Sequence, residues 1–210
     1  MENNKIVLIG SIESKFEYSH SVKNEDFYQV MVASIRKSGN VDMLPVIVSS
    51  VMVDVSMDLT GIQVEVKGSI RSYNMHQNGK HKLKLFVFAA SLVKTNAEDD
   101  NVFSFTGFIC RQPFYRETPL GRQLSETILG VNRQYGHGKS DYIPAIAWSR
   151  NAMYLSSLNI GEQISGLGRF QSRTYRKRVD NDTFEDQTTL EVSIVFLNYK
   201  SGSDECAGEV

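Results

Sequence analysis

Short runs rich in Val, Ile, Phe and Tyr, bounded by Gly, Asn or Ser, recur along the chain and predict β-strands. In the first half they cover residues 5–12, 27–35, 44–48, 63–72 and 82–92. The second half repeats this order at residues 103–110, 124–131, 142–148, 163–174 and 188–197. The pattern therefore predicts an all-β protein with about five strands in each half.

Helical periodicity occurs at one place in each half. In residues 149–158 the apolar side chains fall on one helical face, and Ser149 is a residue type that caps helices. The corresponding residues 49–59 are rich in Val, which makes them a weaker helix former. Asn78-Gly79 lies between two predicted strands and predicts a tight hairpin turn, whereas the matching connection at 174–187 is longer.

The chain repeats itself with a period of about 100 residues, which is too long for a solenoid and indicates duplicated domains. Gly, Gln, Gly and Ser occur at the same spacing in residues 61–72 and 161–172, and residues 42–47 match 141–146. We therefore divide the 210 residues into a first copy at 1–94, a linker at 95–102, a second copy at 103–199 and a mobile acidic tail at 200–210.

Five strands with one short helix between the third and the fourth is the order of an OB-fold, a partly open Greek-key barrel. The sequence thus predicts two tandem five-stranded OB-fold barrels, each with one short helix. An SH3-like barrel is the competing architecture, but it does not usually place a helix at that point. The face of strands 2 and 3 of an OB-fold binds oligonucleotides or oligosaccharides.

Composition and charge restrict the function only loosely. The net charge is −1, but residues 1–98 carry 11 basic and 10 acidic side chains, and residues 101–200 carry 12 and 9. The second copy is therefore mildly basic. Two cysteines are too few for a disulfide scaffold or a zinc site, and no run approaches the ~18 apolar residues of a membrane span. Without a secretory signal pattern at residues 1–9, we expect a cytoplasmic protein.

Four stretches of the second copy carry a family resemblance: residues 105–108, 128–133, 141–148 and 161–173. At these positions the chain resembles the bacterial single-stranded DNA-binding protein family, and the resemblance covers nearly all of residues 102–198. The first copy retains the scaffold residues but has a weaker surface. Primosomal replication protein N, a single OB-fold, is a related cousin. The resemblance implies a protein associated with the nucleoid.

Members of that family stack bases on aromatic side chains while Lys and Arg contact the phosphates, and stacking tolerates any sequence. The resemblance places the four stacking positions at Tyr135, Tyr142, Trp148 and Tyr175. In the first copy the same positions are Ser38, Met43, Ser49 and Met75, none of them aromatic. The basic residues expected near that face are Arg133, Arg150, Arg169, Arg173, Arg176, Lys177 and Arg178.

A structural reading competes with this one, because Tyr and Trp in strands are usually core or half-buried residues. Residues 143, 145 and 147 are apolar as well, so alternation does not reveal which side of the strand faces the core. We interpret Asp141 and Glu126 as solubilising residues at strand edges. No phosphate loop, nucleophile elbow, metal motif or obvious paired-acid site is present in the sequence, so we expect no enzyme and no cofactor.

The leading hypothesis is non-catalytic, sequence-tolerant binding of single-stranded DNA in replication, recombination or repair. One alternative is a duplicated OB-fold that serves as a protein-interaction module of a replication-associated assembly. Another is an OB-fold that binds RNA or an oligosaccharide.

Family members resemble tetramers of one OB-fold per chain, so a tandem chain reaches four OB-folds as a homodimer. In this assembly we expect the first copy to serve mainly as structure and in dimerisation. The tail is short, only modestly acidic and lacks the family's Pro-Phe ending, so the expectation that it recruits replication or repair proteins has weak support. No membrane partner is expected.

Overall fold

The computed structural model describes residues 3–77, 80–133, 138–178 and 184–199. Six strands form the first copy: β1 (Lys5–Ile12), β2 (Glu17–Val22), β3 (Glu25–Ile35), β4 (Val41–Ser49), β5 (Gln63–Gln77) and β6 (Lys80–Lys94). The second copy contains β7 (Asp100–Ile109), β8 (Phe114–Glu117), β9 (Gln123–Asn132), β10 (Ser140–Trp148), the helix α1 (Ser149–Ser156), β11 (Gln163–Arg178) and β12 (Phe184–Leu197).

Each copy closes into a five-stranded barrel. In the first, β1 pairs with both β3 and β5, β3 pairs with β4, β4 runs parallel to β6, and β6 returns to β5. The second copy has the same pairings, including a parallel contact between β10 and β12. The fold prediction, two tandem OB-fold barrels, is confirmed.

Strands β2 and β8 are additions that the hydrophobic pattern did not reveal. They pair with β3 and β9 as outer hairpin arms, and all their side chains are exposed. A strand with no buried face has no reason to alternate apolar and polar residues, so it gives no period-2 signal. The predicted turn at Asn78-Gly79 lies outside the described residues, although β5 and β6 are paired up to Gln77 and Lys80.

Glycines at the repeated motifs allow the barrels to close. At the end of β1 the chain changes partner from β5 to β3, and Gly10 lies against the β3 backbone there. A Cβ at Gly10 would lie 2.0 Å from the carbonyl oxygen of Ala33, so no larger residue fits. Gly107 occupies the same position in the second copy, where a Cβ would lie 3.0 Å from the carbonyl oxygen of Gly130.

The predicted helix exists in the second copy only. Helix α1 buries Ala152 and Leu155, but its N-cap is Trp148 with no side-chain cap, so the capping role expected of Ser149 is wrong. Residues 50–62 of the first copy form turns instead. There the carboxylates of Asp54 and Asp58 accept backbone N–H groups of Ser56 and Thr60, and such local bonds compete with a helix. In the described part of the chain, no helix is long and apolar enough to cross a membrane.

The two barrels join edge to edge into one twelve-stranded sheet. Strands β1 and β7 are antiparallel, with Ile6 opposite Phe103 and Lys5 opposite Ser104. Ile6 and Phe103 each lie four residues before the motif glycine of their own copy (Gly10 and Gly107). Equivalent residues therefore face each other, and a pseudo-two-fold axis passes between them.

Candidate nucleic-acid interface

Strand β10 carries the predicted stacking residues on its outer face. Ile143, Ala145 and Ala147 belong to the core cluster, and Tyr142 and Trp148 occupy the alternate positions of the strand. Tyr142 is 48% exposed and Trp148 is 36% exposed. The structure thus shows which side of β10 faces the core, a point that the sequence pattern did not decide. Both rings are accessible on the strand 2–3 face of the second barrel.

A glycine widens the aromatic surface next to Tyr142. Gly130 of β9 pairs with Tyr142 on one side and with Phe108 of β7 on the other. A Cβ at Gly130 would lie 3.9 Å from Cε1 of Tyr142 and 2.6 Å from Sγ of Cys110. Phe108, 38% exposed, therefore shares a row with Tyr142. Sequence analysis did not select Phe108, although its outward position follows from alternation with the buried Phe103 and Phe105.

A further exposed ring lies on the hairpin arm β8. Phe114 pairs with Glu126, which in turn pairs with Ile146 between the two stacking residues. Phe114 is 60% exposed. It was missed because β8 has no hydrophobic periodicity. The outer face of the second barrel thus presents four rings: Phe108, Phe114, Tyr142 and Trp148.

Tyr175 lies apart from these rings, near the end of the long β11–β12 hairpin. Its hydroxyl donates to Oε1 of Gln187 across the hairpin, and the Arg173 guanidinium lies 5.7 Å from the Tyr175 ring centroid. Arg173 also donates to the carboxylate of Glu191, which is buried. Of the predicted stacking residues that the structure describes, Tyr142 and Trp148 therefore lie on the β10 face and Tyr175 lies on this hairpin.

Arg133, a predicted phosphate contact, forms part of the junction between the copies. Its Nη2 and Nε atoms donate to Asp141 at 2.7 and 3.0 Å, and Nη2 also donates to the carbonyl oxygen of Ser72 in the first copy. Arg71 of the first copy donates to the same carboxylate at 3.1 Å. Asp141 is fully buried, so its interpretation as a solubilising edge residue is wrong.

The pseudo-two-fold axis repeats this junction on the other side. Arg36 binds Asp42 and donates to the carbonyl oxygen of Ser172 in the second copy. The Ser172 N–H donates to Asp42 at 2.9 Å, and the Met43 N–H donates to the Ser172 hydroxyl at 3.0 Å. The hydrogen bond with Asp42 is the largest cause of a raised pKa at Arg36. Each copy's long hairpin is thus bonded to the third barrel strand of the other.

The remaining predicted cations have different surroundings. Nε of Arg169 lies 3.8 Å from Asp42, and burial, with the nearby Arg36, lowers the pKa of Arg169. Arg150 is exposed, with its guanidinium 5.4 Å from the ring centroid of Tyr199. Arg176 is paired at the surface with Asp186 at 3.7 Å. Tyr135 and the side chains of Lys177 and Arg178 lie outside the described residues.

Sequence comparisons point to one family. Residues 100–198 match the single-strand binding protein family. Single-stranded DNA-binding protein 1 of Staphylococcus aureus strain COL and single-stranded DNA-binding protein 2 of strain MSSA476 are each 28% identical to this chain over 100 residues. Each match covers 45% of this chain, and the chain spans 59% of either relative's length.

Solved structures match both copies together. The wild-type single-stranded DNA binding protein from Thermus aquaticus has a TM-score of 0.73 and 18% identity, covering 98% of this chain and 96% of that one. A deletion mutant of the same protein has a TM-score of 0.70 and 19% identity, and the match covers 96% of each chain. At these identities the likeness establishes the fold. The match of residues 100–198 confirms the resemblance to the bacterial single-stranded DNA-binding proteins.

Proposed function

We propose that the chain binds single-stranded DNA without sequence preference and without catalysis, and acts in replication, recombination or repair. The observation that carries this proposal is the outward position of Tyr142 and Trp148 on the strand 2–3 face of an OB-fold. Every base has a π-face, so a row of exposed rings holds a strand of any sequence, at about 1–3 kcal/mol per stacked base. The family match of the second copy agrees with this function.

The phosphate contacts come from arginines whose present partners are easily exchanged. Arg150 is exposed, and the Arg176–Asp186 pair is exposed on both sides, at 79% and 66% of the side chains. Exposed ion pairs contribute little to stability, so a phosphate can replace Asp186 at low cost. Arg133 is different, because its bonds to the buried Asp141 would have to break. We therefore propose that Arg150 and Arg176, rather than Arg133, bind phosphates of the single-stranded DNA.

The single tryptophan makes a direct test possible. Trp148 fluorescence should be quenched as a poly-dT oligonucleotide is added, and the affinity should fall with salt by a slope of about −0.7 for each phosphate neutralised. The same titration with a dT·dA duplex serves as the control and should quench little. Unchanged fluorescence in a folded protein contradicts the proposal and favours the interaction-module alternative.

We further infer a homodimer, with four OB-folds per particle and a cytoplasmic location. Apolar side chains are exposed on the outside of the joined sheet, among them Val102, Leu167 and Phe196, and the last two are direct neighbours across β11 and β12. A second molecule of this chain, packed against this surface, would remove it from water. Light scattering should give twice the chain mass of 23.7 kDa. The monomer mass at micromolar concentration contradicts the inference.

A further inference from the structure

A cleft of 1460 Å³ lies between the outer face of the first copy and the β11–β12 hairpin of the second. Both copies line it, the first with β2–β6 and the second with Arg133, Pro144, Tyr175 and residues 186–190. Tyr175, selected for stacking in the second copy, therefore faces a surface of the first. The sequence-based expectation that the first copy is mainly structural does not account for this arrangement.

The floor of the cleft is apolar and belongs to the first copy. Met31 pairs with Pro45 across β3 and β4, and Ile47 pairs with Phe88 across β4 and β6. These residues line the cleft, and Pro45 and Ile47 lie on β4, the strand equivalent to β10, which carries Tyr142 and Trp148 in the second copy. Methionine is flexible and polarisable, and makes favourable contacts with aromatic rings. Such a floor, with the ring of Phe88 in it, suits the planar faces of bases.

At two positions the first copy carries lysines where the second copy has uncharged residues. In the first copy Lys84 pairs with Tyr73 and Lys82 with Met75, so both lysines lie in the cleft beside the floor. In the second copy the register places Thr189 and Gln187 at those positions.

The second copy also carries acidic residues at positions where the first copy has none. Glu126 and Glu191 of the second copy correspond to Gln29 and Phe86 of the first. Among the described residues that line the cleft, one is acidic, Asp186 of the second copy. The first copy's contribution is therefore cationic, without acids to offset it.

Tyr175 is held at the cleft by the junction. Ser172, three residues before it, receives the Met43 N–H on its hydroxyl and donates its own N–H to Asp42. Asp42 is buried and bound by Arg36. The hairpin bearing the ring is thus anchored to the strand that forms the cleft floor.

We propose that this cleft is a second binding region for the single strand, in which Tyr175 stacks on a base and Lys82 and Lys84 bind phosphates. This inference rests on the proposed function and extends it, because it assigns binding residues to the first copy. A polyanion carrying flat apolar groups matches a cationic, acid-poor cleft with an apolar floor and several rings, those of Tyr175, Phe86 and Phe88 among them. A peptide would have to be acidic as well as apolar to match it equally.

The first test is charge removal in the full chain. A Lys82→Ala/Lys84→Ala variant should bind a dT oligonucleotide of about 10 nucleotides as the unmodified protein does, since the second copy alone holds it. With an oligonucleotide of about 30 nucleotides it should bind more weakly, with a salt slope shallower by about 1.4, or 0.7 per lysine. The matched control is Lys15→Ala/Lys94→Ala, which removes two lysines that do not line the cleft. Long-oligonucleotide affinities and slopes equal to those of the control overturn the inference.

Ultraviolet crosslinking of a long dT oligonucleotide to the unmodified chain separates the two proposals. Crosslinked peptides containing Met43 or Tyr73, together with Trp148, are the expected result. Crosslinks confined to residues 103–199 would leave single-strand binding standing and refute the cleft. Crosslinks nowhere would refute both. Polyglutamate, added at the same concentration of charge as the dT oligonucleotide, should not compete with it for Lys82 and Lys84. Competition would indicate a site for acidic peptides and would likewise overturn the inference.

Discussion

The two copies have the same barrel and the same junction but opposite surface chemistry. Arg36, Asp42 and Ser172 on one side of the pseudo-two-fold axis match Arg133, Asp141 and Ser72 on the other. On the outer faces, by contrast, Tyr142 corresponds to Met43 and Trp148 to Ser49. The buried residues of the junction are thus the same in the two copies, while the outer faces differ in chemistry. Three experiments test this contrast, and a fourth tests the turns in which the first copy differs from the second.

The largest effect is expected at the junction. Asp141→Ala removes a fully buried carboxylate and leaves Arg71 and Arg133 without their counterion, which should cost about 3 kcal/mol of unfolding free energy. Urea denaturation measures it. Asp186→Ala, at an exposed pair, should change stability by less than about 0.5 kcal/mol and serves as the control. Equal effects of the two variants would mean that the buried bonds do not support the junction.

The next effect compares equivalent positions on the two faces. Tyr142→Ala should weaken binding of a fluorescently labelled dT oligonucleotide by about 1–3 kcal/mol, because one stacking platform is lost. Met43→Ala, its counterpart, should cost less, since a thioether offers a base a smaller contact than a ring. Anisotropy titrations give both values, and circular dichroism checks the fold. A larger loss at Met43 than at Tyr142 would reverse the proposed ranking of the two faces.

A third variant makes the first copy more like the second. Met43 points outward and is 37% exposed, so Met43→Tyr places a ring at the position of Tyr142 without disturbing the core. Affinity for a long dT oligonucleotide should rise by about 1 kcal/mol. An affinity unchanged from the parent, in a variant with the parent's unfolding midpoint, would indicate that strands do not reach that part of the first copy.

The smallest effect concerns the turns that replace a helix in the first copy. Hydrogen bonds from Ser56, chiefly its hydroxyl, lower the pKa of Asp54 below the ordinary value of 3.8. Because the pKa of Asp54 is lower in the folded state, its ionised carboxylate stabilises the fold. This stabilisation is complete above pH 3.8 and is lost as the pH falls through the folded-state pKa. Carbon-detected NMR should give a midpoint below 3.8, and Ser56→Ala should return it towards 3.8. An unshifted midpoint in the parent contradicts the bond.

Much of the fold could be predicted because barrel strands bury one face. Short runs rich in Val, Ile, Phe and Tyr located ten of the strands, and β1 at residues 5–12 coincides with its prediction. The two arms β2 and β8 were not predicted, because all of their side chains are exposed. The helix expected at residues 49–59 did not form, since Asp54 and Asp58 bind local backbone groups.

The site was less predictable because its surroundings come from distant residues. Tyr142 and Trp148 are exposed where the resemblance places them, and Phe108 could have been added from alternation. The environment of Arg133 could not, since its bond to the carbonyl oxygen of Ser72 joins residues 61 apart. The same holds for Tyr175, which lies at the first copy only because the hairpins cross the junction.

The pairing of β1 with β7 within one chain also changes what evolution can do with the assembly. Two separate subunits joined by such a strand pair would come apart on dilution, whereas a tethered pair keeps the same effective concentration at any protein level. A gene for a symmetric dimer also cannot alter one face without altering the other. Here a change at Lys84 leaves Thr189 untouched. The covalent connection therefore lets the two halves specialise independently while remaining one particle.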